Sequence, residues 1–363
     1  MAISRKLKSF YMNFWEIPET WVANCITYFQ EFIYLRKNLA KGVKLTKEQK
    51  KQIKDFWKPY CSISPKWCLY YSSQNGLFDP KYIPNNLYYT TIDQFFNNRK
   101  LGYGFNDKNY YQLIFPDVKQ PETIVHIIGG LLFDKDYIQI NASTAISLIS
   151  NYSEVILKPS QESGSGRDIH FFDTKKDIED LQSKIKDFIN KNNSNYIIQN
   201  VLEQHKSLKI IHEQSVNTVR VCTLMLDDCV HILSSVLRMG VNKGRIDNVT
   251  AGGISVGINP DGTLKKLAYT YYTGESFEKH PQGFVFDGYQ IPNYNNLINT
   301  VKKLAQKLGN FKLVSWDMAV DKYGDIVLIE ANMRKGGINL HQFDNGPIFG
   351  NLTEKVLNLV FKK

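Results

Sequence analysis

The stretch that decides the fold is LVSWDMAVDKYGDIVLIEAN, residues 313–332. Its two apolar halves flank the turn sequence DKYGD, which predicts two antiparallel strands joined by a hairpin. An even-length turn centred on Tyr323-Gly324 would place Asp317 opposite Glu330, with Asn332 two positions later on the same face. The opposite face would form a core layer of apolar side chains: Trp316, Met318, Val320, Val327, Ile329 and Ala331.

The facing carboxylates of Asp317 and Glu330 indicate a metal site. Like charges directly opposite each other destabilise a sheet, and a divalent cation would offset their repulsion. Two carboxylates and the amide oxygen of Asn332 are hard ligands that suit Mg²⁺ when it also contacts phosphates. A solvated acidic face on an ordinary antiparallel sheet is the alternative, and these residues alone leave both open.

A second chemical pattern is EVILKP (154–159), a predicted strand that carries Lys158 near its end and leads into a Gly/Ser loop. Glycines let backbone N–H groups approach an anion closely, and the lysine adds a positive charge, so the segment suits a phosphate. Neither a Walker motif nor a dinucleotide-binding glycine motif occurs. An ordinary hairpin loop is the alternative. The loop residues in question are Ser163, Gly164, Ser165, Gly166 and Arg167.

Two arginines lie inside predicted apolar strands, Arg220 in SVNTVRV and Arg238 in SSVLRM. Arginine at a core position is rarely buried without a partner, so we expect an anion near each. A carboxylate of the protein itself is the alternative to a bound anion. Whether the two arginines share a face depends on the turn at Asp227-Asp228, whose length the sequence does not fix.

Three polar segments complete the pattern. QNVLEQH (199–205) ends an apolar strand and would offer backbone groups to an adenine edge and Glu203 to a ribose. RIDNVTAGG (245–253) and HPQGFVFDGYQIP (280–292) are polar and glycine-rich, as substrate loops often are. His280 suits either an acid–base role or a structural role.

In this order the segments resemble the ATP-grasp superfamily, and in particular its sugar-transfer-associated family. The resemblance runs from FNDK (105–108) through VILKP, NTVR, IDNVTAGG, WDMA and IEAN to LHQ (340–342). It implies an α+β protein of the ATP-grasp fold, in which two α+β subdomains clasp ATP behind a helical N-terminal extension. The expected segments are a helical extension (1–85), a pre-ATP-grasp region (86–152), a small lid subdomain (153–212) and a C-terminal catalytic subdomain (213–363).

The resemblance also implies a role for individual residues. Arg220 and Lys158 would act on the transferring phosphoryl group and Arg238 on an anionic substrate, while Asp317, Glu330 and Asn332 would hold Mg²⁺, as two ions. ATP would be bound by Lys108, Lys158, Ser163, Gly164, Ser165, Gly166, Arg167, Gln199, Asn200, Val201 and Glu203. Substrate would be contacted by Asn217, Thr218, Arg238, Asn248, Gly252 and Gly253. Asn200 departs from the family, because a glutamate often stands there.

The implied activity is ligation of a carboxylate to an amine through an acyl phosphate, with release of ADP and phosphate. In capsule or exopolysaccharide synthesis, an amino acid would be joined to a uronic acid or an amino sugar, supplied as a small molecule or a sugar nucleotide. A kinase that phosphorylates a hydroxyl is one alternative. A catalytically inactive module that binds an anionic glycan or nucleic acid is another.

Composition sets the remaining limits. The 363 residues carry a formal charge of +10, which favours an anionic partner, and the apolar and charged fractions are those of an ordinary folded protein. Five cysteines without a C-x-x-C pattern fit a reducing cytoplasm rather than a disulfide framework. The basic and aromatic N-terminus suits contact with a glycosyltransferase or the inner face of a membrane, although an ordinary helical extension is favoured. Nucleic acid is not an expected partner.

Overall fold

A computed structural model describes the chain at residues 23–39, 42–161, 168–190, 195–247, 249, 252–271 and 275–362. The chain divides into two compact units. One unit combines Met1–Phe96 with Gly337–Lys363, and the other comprises Asn97–Gly336. Residues 337–363 therefore pack with the N-terminal unit, whereas the sequence assigned them to the C-terminal subdomain. The other predicted domain boundaries remain predictions.

The N-terminal part of the first unit is helical. Its helices are α1 (Ala23–Asn38), α2 (Lys47–Trp57), α3 (Lys66–Asn75), α4 (Asn85–Leu87) and, after the π-helical turn Tyr88–Ile92, α5 (Asp93–Phe96). Helix α2 begins with a capping box, in which the side chains of Thr46 and Gln49 each accept the other's backbone N–H. Helix α3 lies in a stretch that contains Pro59, Pro65, Pro80 and Pro84. Pro65 stands at its N-cap, where the lack of a backbone N–H is tolerated. Residues 1–22 of the predicted extension lie outside the described residues.

The second unit contains two sheets and several helices. In chain order they are α6 (Arg99–Phe105), the 3₁₀ turn Lys108–Tyr110, α7 (Tyr111–Ile114), β1 (Thr123–Ile128), β2 (Leu131–Asp134), β3 (Gln139–Ile140), α8 (Ala142–Ile149), β4 (Glu154–Pro159), β5 (His170–Asp173), α9 (Ile178–Asn190), β6 (Tyr196–Asn200), α10 (Lys206–Lys209), β7 (Thr218–Leu226), β8 (Cys229–Met239), β9 (Ile254–Ile258), β10 (Leu264–Thr270), β11 (Ser276–Phe277), α11 (Tyr294–Gln306), β12 (Leu313–Val320) and β13 (Ile326–Asn332). This content confirms the α+β class.

The first sheet has six antiparallel strands in the order β3-β2-β1-β6-β4-β5. Side chains alternate between its faces, so Val155 and Leu157 join the core beneath helices α8 and α9. Ile156 and Lys158 point to the opposite face, where they line a cavity. The alternation of side chains along β4 thus places Lys158 on the face that lines the cavity.

The second sheet has seven antiparallel strands in the order β11-β10-β9-β8-β7-β12-β13. Helix α11 packs its apolar side against one face, where Trp316 and Met318 lie in the main core. Arg220 and Asp317 are direct neighbours across β7 and β12 and occupy the other face. The large core therefore supports the strands from which the charged residues project.

Two hairpins of this sheet each contain one extra residue. Near the β12–β13 turn Val320 pairs with Ile326, so the turn is centred on Tyr323 and the predicted even-length turn is wrong. A bulge after Met318–Leu328 then restores the predicted pairing of Asp317 with Glu330. The bulge also places Leu328 rather than Val327 or Ile329 in the main core.

The β7–β8 hairpin determines that Arg220 and Arg238 share a face of the sheet. Asp227 and Asp228 form a two-residue turn with φ values of 51° and 57°, as a type I′ turn requires. A bulge between Cys222 and Thr223 then brings Thr218 opposite Arg238 and Arg220 opposite Val236. Thr218 and Arg220 are two residues apart, so Arg238 shares their face.

The C-terminal segment completes the first unit with α12 (Asn339–Asn345), the 3₁₀ turn Gly350–Leu352 and α13 (Thr353–Phe361). Gln342 ties this segment to the loop before α4, because its Oε1 accepts the Ile83 N–H (2.9 Å) and its Nε2 donates to the Ile83 carbonyl (3.0 Å). All five cysteines are free. No described helix is both long and apolar enough to cross a membrane.

Replacing Gln342 with leucine should destabilise the first unit by about 1–3 kcal/mol, because the buried N–H and carbonyl of Ile83 would lose their partner. Denaturant unfolding of the two proteins measures the difference. Gln52→Leu is the matched control, since Gln52 is exposed on α2 and its substitution should change stability by less than about 0.5 kcal/mol. Equal stability of both variants would show that the Gln342 contacts do not hold the C-terminal segment in place.

Candidate active site

The centre of the site is a buried bidentate ion pair. Arg220 donates from Nε to Asp317 Oδ1 (2.6 Å) and from one terminal nitrogen to Oδ2 (2.7 Å). Arg238 approaches the same carboxylate at 3.5 Å. Burial opposes the charge on Asp317, but the two guanidinium groups outweigh it and hold the pKa of the carboxyl below its ordinary value. Asp317 is therefore ionised at neutral pH.

Arg238 is shared between two carboxylates. Its second terminal nitrogen lies 3.0 Å from Asp247 Oδ2, and its Nε lies 3.2 Å from the Thr218 hydroxyl. The Thr218 hydroxyl in turn donates to Asp247 Oδ2. Of the two alternatives for the strand arginines, a protein carboxylate as partner is therefore the one observed.

Glu330 has its own cation, because Lys108 Nζ lies 2.7 Å from Glu330 Oε1. Burial opposes ionisation of Glu330, yet Lys108 lowers the pKa of the carboxyl below its ordinary value. Side chains of the protein therefore offset the repulsion between Asp317 and Glu330, and the metal site remains a prediction. Arg220 and Lys108 each neutralise one of the two carboxylates.

Lys158 is the exception in this cluster. Within the described part of the chain its side-chain ammonium group has no hydrogen bond or ion pair, although only 9% of the residue's surface is exposed. Burial and the neighbouring charge of Lys108 lower its pKa to about 8, against an opposing effect of Glu330. A buried cation without a partner marks the place where an anion would be most stabilised.

A cavity of about 690 Å³ lies between the two sheets. The first sheet contributes Ile156, Lys158 and Gln199, and the second contributes Thr218 and Ile329. This volume is in the range of small-molecule sites. Its wall combines apolar side chains with the unpaired lysine, so the cavity suits a ligand with a flat apolar part and an anionic part.

A family model described as sugar-transfer associated ATP-grasp matches residues 89–358. The chain belongs to that family. Its fold is accordingly the ATP-grasp fold. No curated protein matches the chain.

Solved ATP-grasp structures are similar to this chain only at low identity. The ATP-grasp ligase PsnB with its minimal precursor is 12% identical over 73% of this chain and 64% of its own, with a TM-score of 0.43. The biotin carboxylase domain of Hydrogenobacter thermophilus 2-oxoglutarate carboxylase is 11% identical over 73% of this chain and 47% of its own, with a TM-score of 0.45. D-cycloserine synthetase DcsG is 13% identical over 72% of this chain and 73% of its own, with a TM-score of 0.42. The chain thus spans less than two thirds of the first two relatives.

The segment predicted to bind adenine lies in the cavity wall of this ATP-grasp protein. Gln199, Asn200, Val201 and Glu203 all line it. The Gln199 amide nitrogen is already used by the Pro121 carbonyl and the Thr123 hydroxyl, and Asn200 Nδ2 donates to Glu122. Glu203 pairs with Lys322 at 2.7 Å.

The donor set of the predicted metal site fits Mg²⁺ in its chemistry. Asp317 and Glu330 are both ionised and face each other, and Asn332 Nδ2 lies 3.5 Å from Asp317 Oδ2. In the described ranges no three His, Cys, Asp or Glu side chains converge as a metal site, because this set contains two carboxylates and one amide. The three residues remain the predicted ligands, and Arg220 and Lys108 would have to share the carboxylates with the ion.

Several predicted substrate residues do not reach the cavity. Asn217 is fully buried, and its amide donates to the carbonyls of Leu208 and His212, so its role is structural. Gly252 and Gly253 are not part of the cavity wall, whereas Thr218 is. His280 is buried and contacts the Gly240 carbonyl, so the structural interpretation of this histidine holds.

The predicted residues Ser163, Gly164, Ser165, Gly166, Arg167 and Asn248 lie outside the described residues.

Arg245 and Asp247 line the cavity but were not assigned a role from the sequence. Arg245 reaches across to the first sheet, where it pairs with Glu154 at 2.6 and 2.9 Å and stacks on Phe171 with its guanidinium carbon 3.8 Å from the ring centre. Asp247 faces Arg238. Both residues belong to the segment RIDNVTAGG, whose composition is typical of substrate loops. Sequence spacing alone does not show which side chains of this segment face the cavity.

The charge inventory predicts opposite effects of two substitutions on the ligand-free protein. Lys158→Met removes a buried cation that has no partner, so we expect unchanged or increased stability. Asp317→Asn leaves Arg220 buried beside a neutral amide, so we expect a loss of about 3–5 kcal/mol. Denaturant unfolding without nucleotide measures both. A Lys158→Met variant that is as destabilised as Asp317→Asn would show that Lys158 is paired.

The advantage of Lys158→Met should depend on pH. The pKa of Lys158 is about 8 in the folded state, against an ordinary value of 10.5, so the folded protein releases this proton first as the pH rises. The stability cost of the charged lysine is then complete below pH 8 and disappears by about pH 10.5. The stability difference between the variant and the wild type should shrink across this window. A constant difference would contradict the lowered pKa.

Proposed function

We propose that the protein is a Mg·ATP-dependent carboxylate–amine ligase that acts through an acyl phosphate. The observation that carries the proposal is the unpaired, buried Lys158, which lines the cavity between the two sheets. The cluster around it holds four cationic side chains, Lys108, Lys158, Arg220 and Arg238, against three carboxylates. One negative charge is thus lacking, and a phosphate group would supply it.

Each residue then has a chemical task. Lys158 and Lys108 bind the phosphates of ATP, and Arg220 stabilises the charge of the phosphoryl group during its transfer. Asp317, Glu330 and Asn332 hold Mg²⁺, whose contribution when bound is to neutralise phosphate charge. The carboxylate of the substrate attacks the γ-phosphorus and ADP leaves, after which an amine attacks the acyl carbon and phosphate leaves. No protein nucleophile is required.

The substrates follow from the family rather than from individual residues. The family description, sugar-transfer associated, supports a role in the synthesis of capsule or exopolysaccharide. We infer an amide bond between an amino acid and a uronic acid or amino sugar, formed in the cytoplasm on a free sugar or a sugar nucleotide. A screen of amino acids against nucleotide-linked uronic acids and amino sugars, with mass detection of the products, tests this inference. A phosphorylated sugar without an amide product would identify a kinase instead.

The nucleotide product should be ADP together with inorganic phosphate. An acyl-phosphate route transfers only the γ-phosphoryl group, and the cluster of lysines and carboxylates suits that transfer. Chromatography of the nucleotides after turnover distinguishes ADP from AMP. Formation of AMP and pyrophosphate would show that the carboxylate is adenylated and would overturn the proposal.

Arg220→Ala should slow the chemical step about 10²- to 10³-fold at saturating ATP while ADP affinity changes little, because Arg220 is assigned to charge that develops during transfer. Arg220→Lys is the control for loss of the ion pair, since it keeps a positive charge beside Asp317. The measurements are kcat and the Kd for ADP. Normal turnover of the alanine variant would refute the assignment, and an equal loss of ADP affinity would make Arg220 a ground-state phosphate ligand.

A further inference from the structure

Among the described residues, only one of the two carboxylate oxygens of Asp247 accepts hydrogen bonds. Oδ2 accepts hydrogen bonds from the Thr218 hydroxyl and from two nitrogens of Arg238, at 3.3 and 3.0 Å for the arginine. No described residue bonds to Oδ1. The side chain is 12% exposed and lines the cavity. Asp247 therefore offers a fixed acceptor oxygen to a ligand.

Arg238 connects this acceptor to the phosphoryl-transfer residues. The same guanidinium lies 3.0 Å from Asp247 and 3.5 Å from Asp317. Asp247 is consequently separated from Asp317 by a single planar group. A substrate atom that contacts Asp247 Oδ1 would lie close to the place where the activated carboxyl group forms.

Two histidines contact backbone carbonyls at the start of the loop that carries Asp247. His280 Nε2 contacts the Gly240 carbonyl at 2.9 Å, and His212 Nε2 contacts the Asn242 carbonyl at 3.1 Å. The Nδ1 atom of each ring lies 3.2 Å from a backbone nitrogen, that of Ser215 for His212 and that of Gln282 for His280. A Cβ atom at Gly240 would lie 2.9–3.0 Å from Ser215, Gly244 and His212, so the loop packs closely there.

We propose that Asp247 is a catalytic residue that binds the amine substrate and accepts its proton. The assignment rests on the proposed ligase function. As the amine nitrogen forms its bond to the acyl carbon, the bond from that carbon to the phosphate oxygen breaks and phosphate leaves with the electron pair. The excess proton on nitrogen passes to Asp247 Oδ1. The substrate amine enters as an ammonium ion, which the same carboxylate attracts, and it loses one proton to solvent before its nitrogen attacks, so that only the second proton passes to Asp247.

The test compares two nucleophiles in the variant Asp247→Asn, with Mg·ATP and the carboxylate and amine identified by the substrate screen. Amide formation should fall at least about 10²-fold at neutral pH, which is the usual contribution of a positioned base. Hydroxamate formation with hydroxylamine should be unchanged, because hydroxylamine is unprotonated at neutral pH and attacks acyl phosphates without a base. The melting shift caused by Mg·ATP should also be retained. Asp228→Asn, in the exposed β7–β8 turn, is the matched control and should leave all three readouts unchanged.

The possible failures are distinguishable. If Asp247 only orients Arg238, the amide oxygen of asparagine can accept the same hydrogen bonds, and amide formation will stay near the wild-type rate, which overturns the assignment. If hydroxamate formation falls as much as amide formation, Asp247 acts before the amine arrives, and the assignment is again wrong. If the wild-type protein forms no amide with any pair, the proposed function fails, and the role of Asp247 fails with it.

Discussion

The charged site depends on one constraint, the extra residue in each of two hairpins. Side chains alternate strictly between the faces of a sheet, so a shift of one residue moves a whole set to the other face. Continued without its bulge, the pairing near the β12–β13 turn would place Asp317 opposite Ile329 instead of Glu330. The same argument applied to the β7–β8 hairpin would separate Arg238 from Arg220. The two bulges therefore bring onto one face the charges that a regular sheet would distribute over both.

Once gathered on one face, the charges constrain each other. Arg220 and Arg238 hold Asp317 ionised, and Lys108 does the same for Glu330. Breaking a buried pair leaves an uncompensated charge, which is more costly than the pair itself, so these contacts favour a single arrangement. Asp247 extends the network through Arg238 into the cavity wall. The result is a set of dipoles and charges that is already in position before a ligand arrives, which is the condition for electrostatic catalysis.

The sequence predicted the class of fold, but not which charged residues of the predicted site pair with each other. Asp317 was predicted opposite Glu330 from an even-length turn, and the pairing holds although the turn is odd, because the bulge compensates for it. Ile329 was assigned to the core and lies in the cavity wall, because a bulge leaves no trace in hydrophobic periodicity. Asn217 was assigned to substrate and is structural, because a polar residue can be satisfied inside the fold. The partners of Asp317 and Glu330 lie 97 and 222 positions away in the sequence, at Arg220 and Lys108, and no local pattern records such contacts.

The distinction between paired and unpaired charges also separates the rival functions. A module that had lost catalysis would gain stability by replacing a buried cation that has no partner, and nothing in the fold would oppose that change. Lys158 is instead retained on the cavity face of β4, beside Lys108, whose charge makes its protonated form still less favourable. Sites that violate the ordinary rules of packing and charge are commonly functional, because stability there is sacrificed to binding or catalysis. The unpaired lysine and the free oxygen of Asp247 are two departures from full pairing in the described cluster, and both residues lie in the wall of one cavity. A phosphate at the first and an amine at the second would give each of these groups a partner, as the proposed carboxylate–amine ligase reaction requires.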